Sequence, residues 1–451
     1  MSNNSSVQGL ILLELPISRL FWRYSIPTIM SMLVTGIYVT IDGIFVGHYL
    51  GEQGMAGMIL AYPVGAILYA VGSLIGMGSA ALVSIHLGKG NKTKARLYLG
   101  NAFSLCLISG LFFAVVGTYF SNDILKLLGA EGEILIRGNR YLFWYFALGI
   151  FPIISIAFTA LLRNDGKPVF VTWVLIFGGI LNVFLDWLWI VVFPYGLTGA
   201  AIATMISQAF TGLLCLQHFF WGNTELKIDL SQMKLKAENC RHILRLGLPS
   251  FLMNLYLSIV LTMHNMAFLW VGAPIHVAAY GVVCYAEALF YLLFEGIAFG
   301  VQPILSFNAG AGRYDRVLQA RKMAFGVTLF FAVIGLIAIY GFPNQMVYLF
   351  AGDNKELAPV AVEGMYLYFW GLPLAGLLLV GASFFQAVDH AKEASILTGS
   401  KLCLIAIVIL VFSQIWGTSG IWISLSVSNA VLFLWMCRAM KRVDSRYEKM
   451  C

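Results

Sequence analysis

Arg163–Gln208 reads RNDGKPVFVTWVLIFGGILNVFLDWLWIVVFPYGLTGAAIATMISQ. A turn rich in Asn, Asp, Gly and Pro opens it, and two apolar runs follow, parted at Pro194–Gly199. Each run has the ~20 residues that a helix needs to cross a bilayer. Asn182 and Asp186 are four apart and so share one face of the first helix; Thr204 lies in the second. A carboxylate held in so apolar a helix is costly, and its default reading is function, usually with a partner. Apolar length combined with a retained acid points to a membrane helix bundle with its chemistry inside the membrane.

The rest of the chain repeats the pattern. Of 451 residues 60% are hydrophobic and 11% charged, with a mean hydropathy of +0.85, too much apolar surface for a soluble chain of this length to hide. Twelve spans are expected, near 25–49, 55–87, 97–120, 139–162, 168–193 and 197–221, then 248–271, 276–308, 323–341, 364–388, 395–416 and 419–440. With the N-terminus inside, the outer loops hold only Lys126, Arg137, Arg140 and Lys355, and Lys401 lies in a span. The remaining 23 of the 28 Lys and Arg then face the cytoplasm, which is the positive-inside signature. The net charge of +7 is therefore a topology signal and does not call for nucleic acid. The expected organisation is a cytoplasmic segment 1–24, a first lobe 25–221, a cytoplasmic linker 222–247, a second lobe 248–440 and a cytoplasmic tail 441–451. The opening MSNNSSVQGLILLELPISRL lacks the basic start and cleavage site of a signal peptide. The seven cysteines are scattered without a CxxC pair, so neither a disulfide framework nor a metal site is expected.

The halves echo one another. An offset of 222 carries Pro27 onto Pro249, Gly78 onto Gly300, Ser84 onto Ser306, Gly88 onto Gly310 and Gly90 onto Gly312, and an offset of 221 carries Gly199 onto Gly420. Six spans per half is an even number, so both halves cross in the same direction and are related by an axis along the membrane normal. Transporters built from repeats place their sites at the interface between them.

Only four carboxylates fall within spans: Asp42, Asp186, Glu287 and Glu295. Asp42, Asp186 and Thr204 each lie seven residues from the outer end of their span, so all three are ~10 Å deep, with Asn182 one turn deeper. The repeat does not preserve this set: Asp42 aligns with His264, Asn182 with Cys403, Asp186 with Ile407 and Thr204 with Leu425. A packing requirement of the duplicated fold belongs in both halves, whereas a specialised site need not. For Asn182 and Thr204 the bland reading is interhelical hydrogen bonding. Glu287 and Glu295, ~80° apart around span eight, lie among Phe290, Tyr291 and Phe294; with Tyr38, Trp189 and His264 they form a candidate cavity for a lipophilic cation. The competing reading for the two glutamates is solvation of a polar mouth, and for His264 it is packing. No GxxxxGK[ST] loop or HExxH motif occurs, so neither nucleotide hydrolysis nor metalloenzyme chemistry is expected.

IDGIFVGHYLGEQGMAG, ALVSIHLGKGNKTKA, RNDGKP, Leu181–Asp186, Gly199–Thr204 and GVQPILSFNAGAGRYDR together resemble the multidrug and toxic compound extrusion (MATE) family over about residues 17–440. The resemblance implies an all-α fold of 12 transmembrane helices in two six-helix lobes around a central cavity. It implies export of organic cations or other amphiphiles in exchange for H⁺ or Na⁺, no cofactor, and Asp42, Asn182, Asp186 and Thr204 as the cation network. It also implies a monomer in a bacterial plasma (inner) membrane with both termini cytoplasmic. Span seven lacks the acid that another branch of the family carries there, and QAVDHAK replaces RNDGKP in the second half while keeping Asp389. A flippase or exporter for an amphiphilic lipid or metabolite is the alternative, although the spans offer almost no Arg or Lys to hold a pyrophosphate.

Overall fold

The computed structural model describes residues 9, 11–222, 224–352 and 354–448; the outermost parts of the expected cytoplasmic ends, 1–8 and 449–451, lie outside them. Among the described residues every regular element is helical. In chain order these are α1 (Ile17–Gly88), α2 (Lys92–Phe112), α3 (Thr118–Leu127), α4 (Gly132–Ala147), α5 (Ile150–Asn164), α6 (Pro168–Asp186) and α7 (Leu197–Trp221). The second half holds α8 (Ala237–Val271), α9 (Pro274–Gly310), α10 (Tyr314–Gly341), α11 (Pro343–Ala351), α12 (Leu357–Phe369), α13 (Leu372–Ala387) and α14 (Ala391–Glu448). Among the described residues eight helical segments are individually long and apolar enough to cross a membrane, and up to ten if each bent pair counts as one. The chain is a multi-pass membrane protein.

Two of these helices are double. At 1.5 Å per residue the 72 residues of α1 would reach ~108 Å if straight, over three times a hydrocarbon core of ~30 Å. It is divided at Gly51 (φ 65°, ψ −166°), and α14 is divided at Gly417 (φ 60°, ψ −134°). Separating the legs at these glycines is the division that a twelve-span count requires. Elsewhere the spans are less regular than the apolar runs suggest. The expected spans 139–162 and 364–388 are bent, by 52° between α4 and α5 and by 49° between α12 and α13. Pro152 and Pro373 explain both bends, since proline lacks an N–H and its ring collides with the carbonyl four residues back.

The duplication is present in three dimensions as well as in sequence. Gly90 and Gly312 both have φ 73°, and Gly196 (φ 62°) and Gly417 (φ 60°) match at the offset of 221. Gly88 lies against the Phe307 carbonyl, while Gly310 lies against the Ile85 carbonyl. Position 85 plus 222 is 307, so this is one contact written twice across the pseudo-twofold axis. At both glycines a Cβ would meet backbone, which is why the two helices approach so closely only at glycine. The second half of α1 and the end of α9 are thereby locked together between the lobes. Ser84 Oγ, which donates to the Pro303 carbonyl (3.4 Å), and Asn164 Nδ2, which donates to Gln302 Oε1 (3.2 Å), add polar contacts between the lobes.

The helices outrun the apolar segments at the ends with the basic loops. The linker expected at 222–247 is half helix, because α8 begins at Ala237. Its remainder is fastened along α2: Asn101 Nδ2 donates to the carbonyls of Gln232 and Lys234, and Lys92 pairs with Glu225 at 2.5 Å. Residues 441–448 of the expected tail continue α14, with Asp444 paired to Arg321 and Tyr447 stacked on Tyr314. Part of the expected N-terminal segment is built into the second lobe: Leu12, Ile17, Leu20 and Phe21 join its core, and Arg316 donates to the carbonyls of Leu12 and Leu15. A buried guanidinium needs such acceptors.

Candidate cation and substrate sites

α6 sets the geometry of the first site. Its exposed side carries Phe170, Trp173, Phe177, Ile180 and Phe184, a lipid-facing stripe at helical spacing, whereas Val171, Val174, Gly178, Asn182 and Asp186 are buried. A helix apolar on all sides thus turns its two polar residues inward. Regular α-geometry ends at Asp186, and Trp187–Val192 forms a π turn, a distortion that recurs at functional sites. α1 packs against α6, and α7 against both, which brings Asp42 and Thr204 to the same region. Thr172 Oγ1 donates to the Pro27 carbonyl (2.7 Å), fixing α6 to α1 at its proline.

All four expected residues are buried: Asp186 is 0%, Asn182 1%, Asp42 7% and Thr204 7% exposed. Asp42 and Asp186 are electrostatic neighbours. Asp42 Oδ1, both Asp186 oxygens, and both Asn182 side-chain atoms have no hydrogen-bond partner among the described residues. Buried unpaired carboxylates are among the most expensive arrangements a protein can hold. Thr204 Oγ1 donates to the Ala200 carbonyl (3.1 Å), which leaves its lone pairs as acceptors. Carboxylate, amide and hydroxyl oxygens make a hard donor set, suited to a proton or to a hard cation such as Na⁺. Among the described residues no group of three His, Cys, Asp or Glu side chains forms a conventional metal cluster.

Beside this set runs a hydrogen-bonded chain that the sequence reading missed. Gln208 Nε2 donates to the hydroxyls of Tyr38 (3.3 Å) and Tyr69 (3.2 Å), and Tyr145 donates to Tyr69 (3.4 Å). Of these the sequence points only to Tyr38. Gln208 had a signal, because it is an amide one turn beyond Thr204 on the same face. The tyrosines had none, being indistinguishable in sequence from packing aromatics. Trp189 lies half-buried on the π turn, with Gly199 against its carbonyl.

The second-lobe candidates diverge. Phe294 is buried against Gly376, and Phe290 packs on Gly335, so both serve the lobe's own core. His264 is fully enclosed: Nδ1 meets the Val260 carbonyl (2.9 Å), Nε2 the Ser424 hydroxyl (3.1 Å), and its ring stacks on Tyr280. Glu287 accepts from the Tyr368 hydroxyl (2.5 Å), and the Tyr291 hydroxyl donates to the Met253 carbonyl (3.1 Å). Glu295 instead feels the charge of Arg163 in the other lobe. Arg163 is buried with its Nη1 unpartnered and lies 5.5 Å from the Phe299 ring centre.

Two bundled lobes with a buried acid pair in one of them can now be set beside known proteins. The MatE family model matches residues 27–188 and again residues 249–412, one match in each half of the duplication. The chain belongs to the MatE family. This is a family of transporters and not of enzymes. Multidrug export protein MepA of Staphylococcus aureus (strain N315) is 26% identical over 443 residues, covering 95% of this chain and 96% of MepA. The MepA of Staphylococcus saprophyticus is 25% identical over 436 residues, covering 94% of each. Among solved structures, the outward-facing conformation of a multidrug resistance MATE transporter of the MOP superfamily superposes with a TM-score of 0.90 at 23% identity, covering 98% of both chains. A MOP superfamily transporter from Pyrococcus furiosus, described as having a binding pocket of reverse polarity, gives 0.88 at 23% identity over 98% of both chains. These structural likenesses support the MatE fold.

Proposed function

We propose that this MatE protein is a secondary antiporter that exports lipophilic, often cationic small molecules in exchange for H⁺ or Na⁺, by alternating access between its lobes. One observation carries the coupling site: the five unpartnered polar atoms of Asp42, Asn182 and Asp186, buried around two mutually repelling carboxylates. Such a set demands a positive charge, and a proton or Na⁺ supplies it. The MepA relatives, named multidrug export proteins, support the cargo class. The positive-inside count supports twelve spans with both termini cytoplasmic, and the staphylococcal relatives support a bacterial plasma membrane.

Arrival of the cation removes the repulsion between Asp42 and Asp186 and lets α1 draw onto α6. Pro27 is the weak point of α1, since its missing N–H leaves a gap in the helix ladder. Beyond it Gly36 touches the Leu292 side chain on α9, so a bend at Pro27 moves a contact with the second lobe. Cargo and cation therefore interact through the position of α1 and need not touch; each shifts the equilibrium by its differential affinity for the two states.

Ethidium efflux from proteoliposomes under an imposed pH gradient or an imposed Na⁺ gradient tests this. Efflux driven by one of the two, and lost in Asp42→Asn and Asp186→Asn with the protein folded, is the expected result. Undiminished efflux in both variants refutes the site, and no efflux under either gradient refutes the antiport reading in favour of an amphiphile flippase.

A further inference from the structure

The second lobe holds a charged cluster that the cation site of the first does not use. Lys401, on the first leg of α14, places its ammonium 4.0 Å from the centre of the Tyr256 ring. Tyr256 on α8 is stacked on Tyr291 of α9 with ring centres 6.3 Å apart. Glu287, one turn earlier on α9, is the electrostatic neighbour of Lys401 and accepts the Tyr368 hydroxyl from α12. Between α8, α9, α13 and α14 is a cavity of about 40 Å³, lined by Lys401, Tyr256, Tyr291, Thr398 and otherwise by apolar side chains, with Glu287 outside the lining. The Tyr256 hydroxyl is a second, independent sign of an unfilled role: the residue is only 5% exposed and its oxygen has no hydrogen-bond partner among the described residues.

An aromatic face, an apolar cavity and a carboxylate whose charge acts on the same ammonium are the parts of a receptor for an organic cation. A lysine already occupies its centre. The cavity takes a few waters or one ammonium head, and is far smaller than the ~300–1,000 Å³ that encloses a drug-sized ligand. We propose that this cluster is an organic-cation subsite in which the Lys401 ammonium is a tethered placeholder, displaced from the Tyr256 ring when the head of a lipophilic ammonium ligand binds on that ring. The proposal rests on the export reading for its purpose, and names where the cargo's positive end is held. Charge stays balanced through the exchange, since one cation leaves the neighbourhood of Glu287 as another arrives. The tether gives the lysine a local concentration of order mM, so its return pushes the ligand out. A transporter has to release what it binds, and a built-in competitor accomplishes that without a change in the ring or the acid. The N-lobe has no counterpart, since Lys401 aligns with Ile180, Glu287 with Gly65 and Tyr256 with Val34.

Binding of radiolabelled benzyltrimethylammonium to purified protein, measured by equilibrium dialysis without any gradient, tests this separately from coupling. Lys401→Met is expected to bind about tenfold more tightly than wild type, Lys401→Arg about as wild type, and Tyr256→Leu about tenfold more weakly. Loss of Lys401 leaves Glu287 without its counter-charge and can unfold the lobe, so a second measurement uses the wild type alone. Saturating ligand should speed acylation of the Lys401 amine, read by mass spectrometry of the peptide. Unchanged or weaker binding in folded Lys401→Met, or acylation that ligand leaves unchanged or slows, overturns the subsite; wild-type binding that persists in that case leaves the export reading standing. Absence of binding in every variant overturns the subsite, and ethidium efflux then decides the export reading.

Discussion

Gly310→Ala is the sharpest test of how the two lobes meet. A Cβ added at Gly310 falls on the carbonyl of Ile85 and comes within 2.9 Å of Ile85 Cα, where ordinary contact is 3.4–4 Å. Both obstacles are backbone, so no side chain can swing aside, and α9 has to move off α1. Overpacking of this kind costs about 1–3 kcal/mol. The contact joins one lobe to the other, so the cost falls on the arrangement in which this end is shut and is absent when it parts. The equilibrium should then move toward the open arrangement by a factor of about 5–150. Ser84 reports on it, being 0% exposed and bonded across the interface to Pro303. In a cysteine-free background carrying Ser84→Cys, maleimide labelling in proteoliposomes should accelerate by that factor when Gly310→Ala is added. Gly312→Ala is the control: its φ of 73° strains an added Cβ, but nothing lies within 4 Å. It should cost about 1–2 kcal/mol locally and leave labelling unchanged. Labelling that Gly310→Ala does not change, in a protein that remains folded, refutes the claim that this glycine interface opens.

Gly88→Ala, the pseudo-twofold mate, should produce the same acceleration, and the double variant should fall short of the sum because the two contacts share one interface. Arg321→Ala removes a bidentate pair with Asp444 (2.6 and 2.8 Å) and a guanidinium 4.9 Å from the Phe384 ring centre. About 2 kcal/mol of second-lobe stability should be lost, seen as a lower apparent Tm, with Arg321→Lys intermediate. Asp389 is the non-glycine residue with positive φ (62°) among the described residues, and it pairs with His242 at 2.9 Å. Asp389→Ala should lower the apparent Tm because it keeps the backbone strain and drops the pair, whereas Asp389→Gly relieves about 1–2 kcal/mol of strain and should have the higher Tm of the two. Asp186→Asn removes one of the two repelling charges, so ²²Na⁺ binding to a Na⁺-coupled protein should fall at least about tenfold; retained affinity would place the coupling ion elsewhere.

The Asp389 turn shows how far the sequence could be read. RNDGKP and QAVDHAK look unlike, and the loss of Gly-Lys-Pro reads as a departure from the repeat. In the structure Asp389 takes a left-handed turn position as Gly166 does in the first half, with φ 62° against 73°. Aspartate is one of the few side chains that tolerate this conformation, so the turn survives the change of residue. Glu287 and Glu295 show the opposite limit. Helical spacing places them ~80° apart, but only the packed lobes reveal that one is bonded to Tyr368 and acts on the charge of Lys401, while the other acts on the charge of Arg163 of the opposite half.

What the sequence determined by itself are properties carried by local composition and by self-comparison. Apolar runs of bilayer length, the sidedness of Lys and Arg, the duplication, and a buried Asn–Asp pair on one helical face each depend on residues a few positions apart or at one fixed offset. Which side of a uniformly apolar helix meets lipid, where a span bends, and which tyrosines converge on an acid could not be read that way. In a soluble helix polarity marks the outer face, whereas in a membrane the lipid and the protein interior are equally apolar, so the pattern no longer separates them. Those choices were made by packing between helices: glycine against carbonyl at Gly88 and Gly310, and Lys401 brought to the Tyr256 ring from a helix distant in the chain.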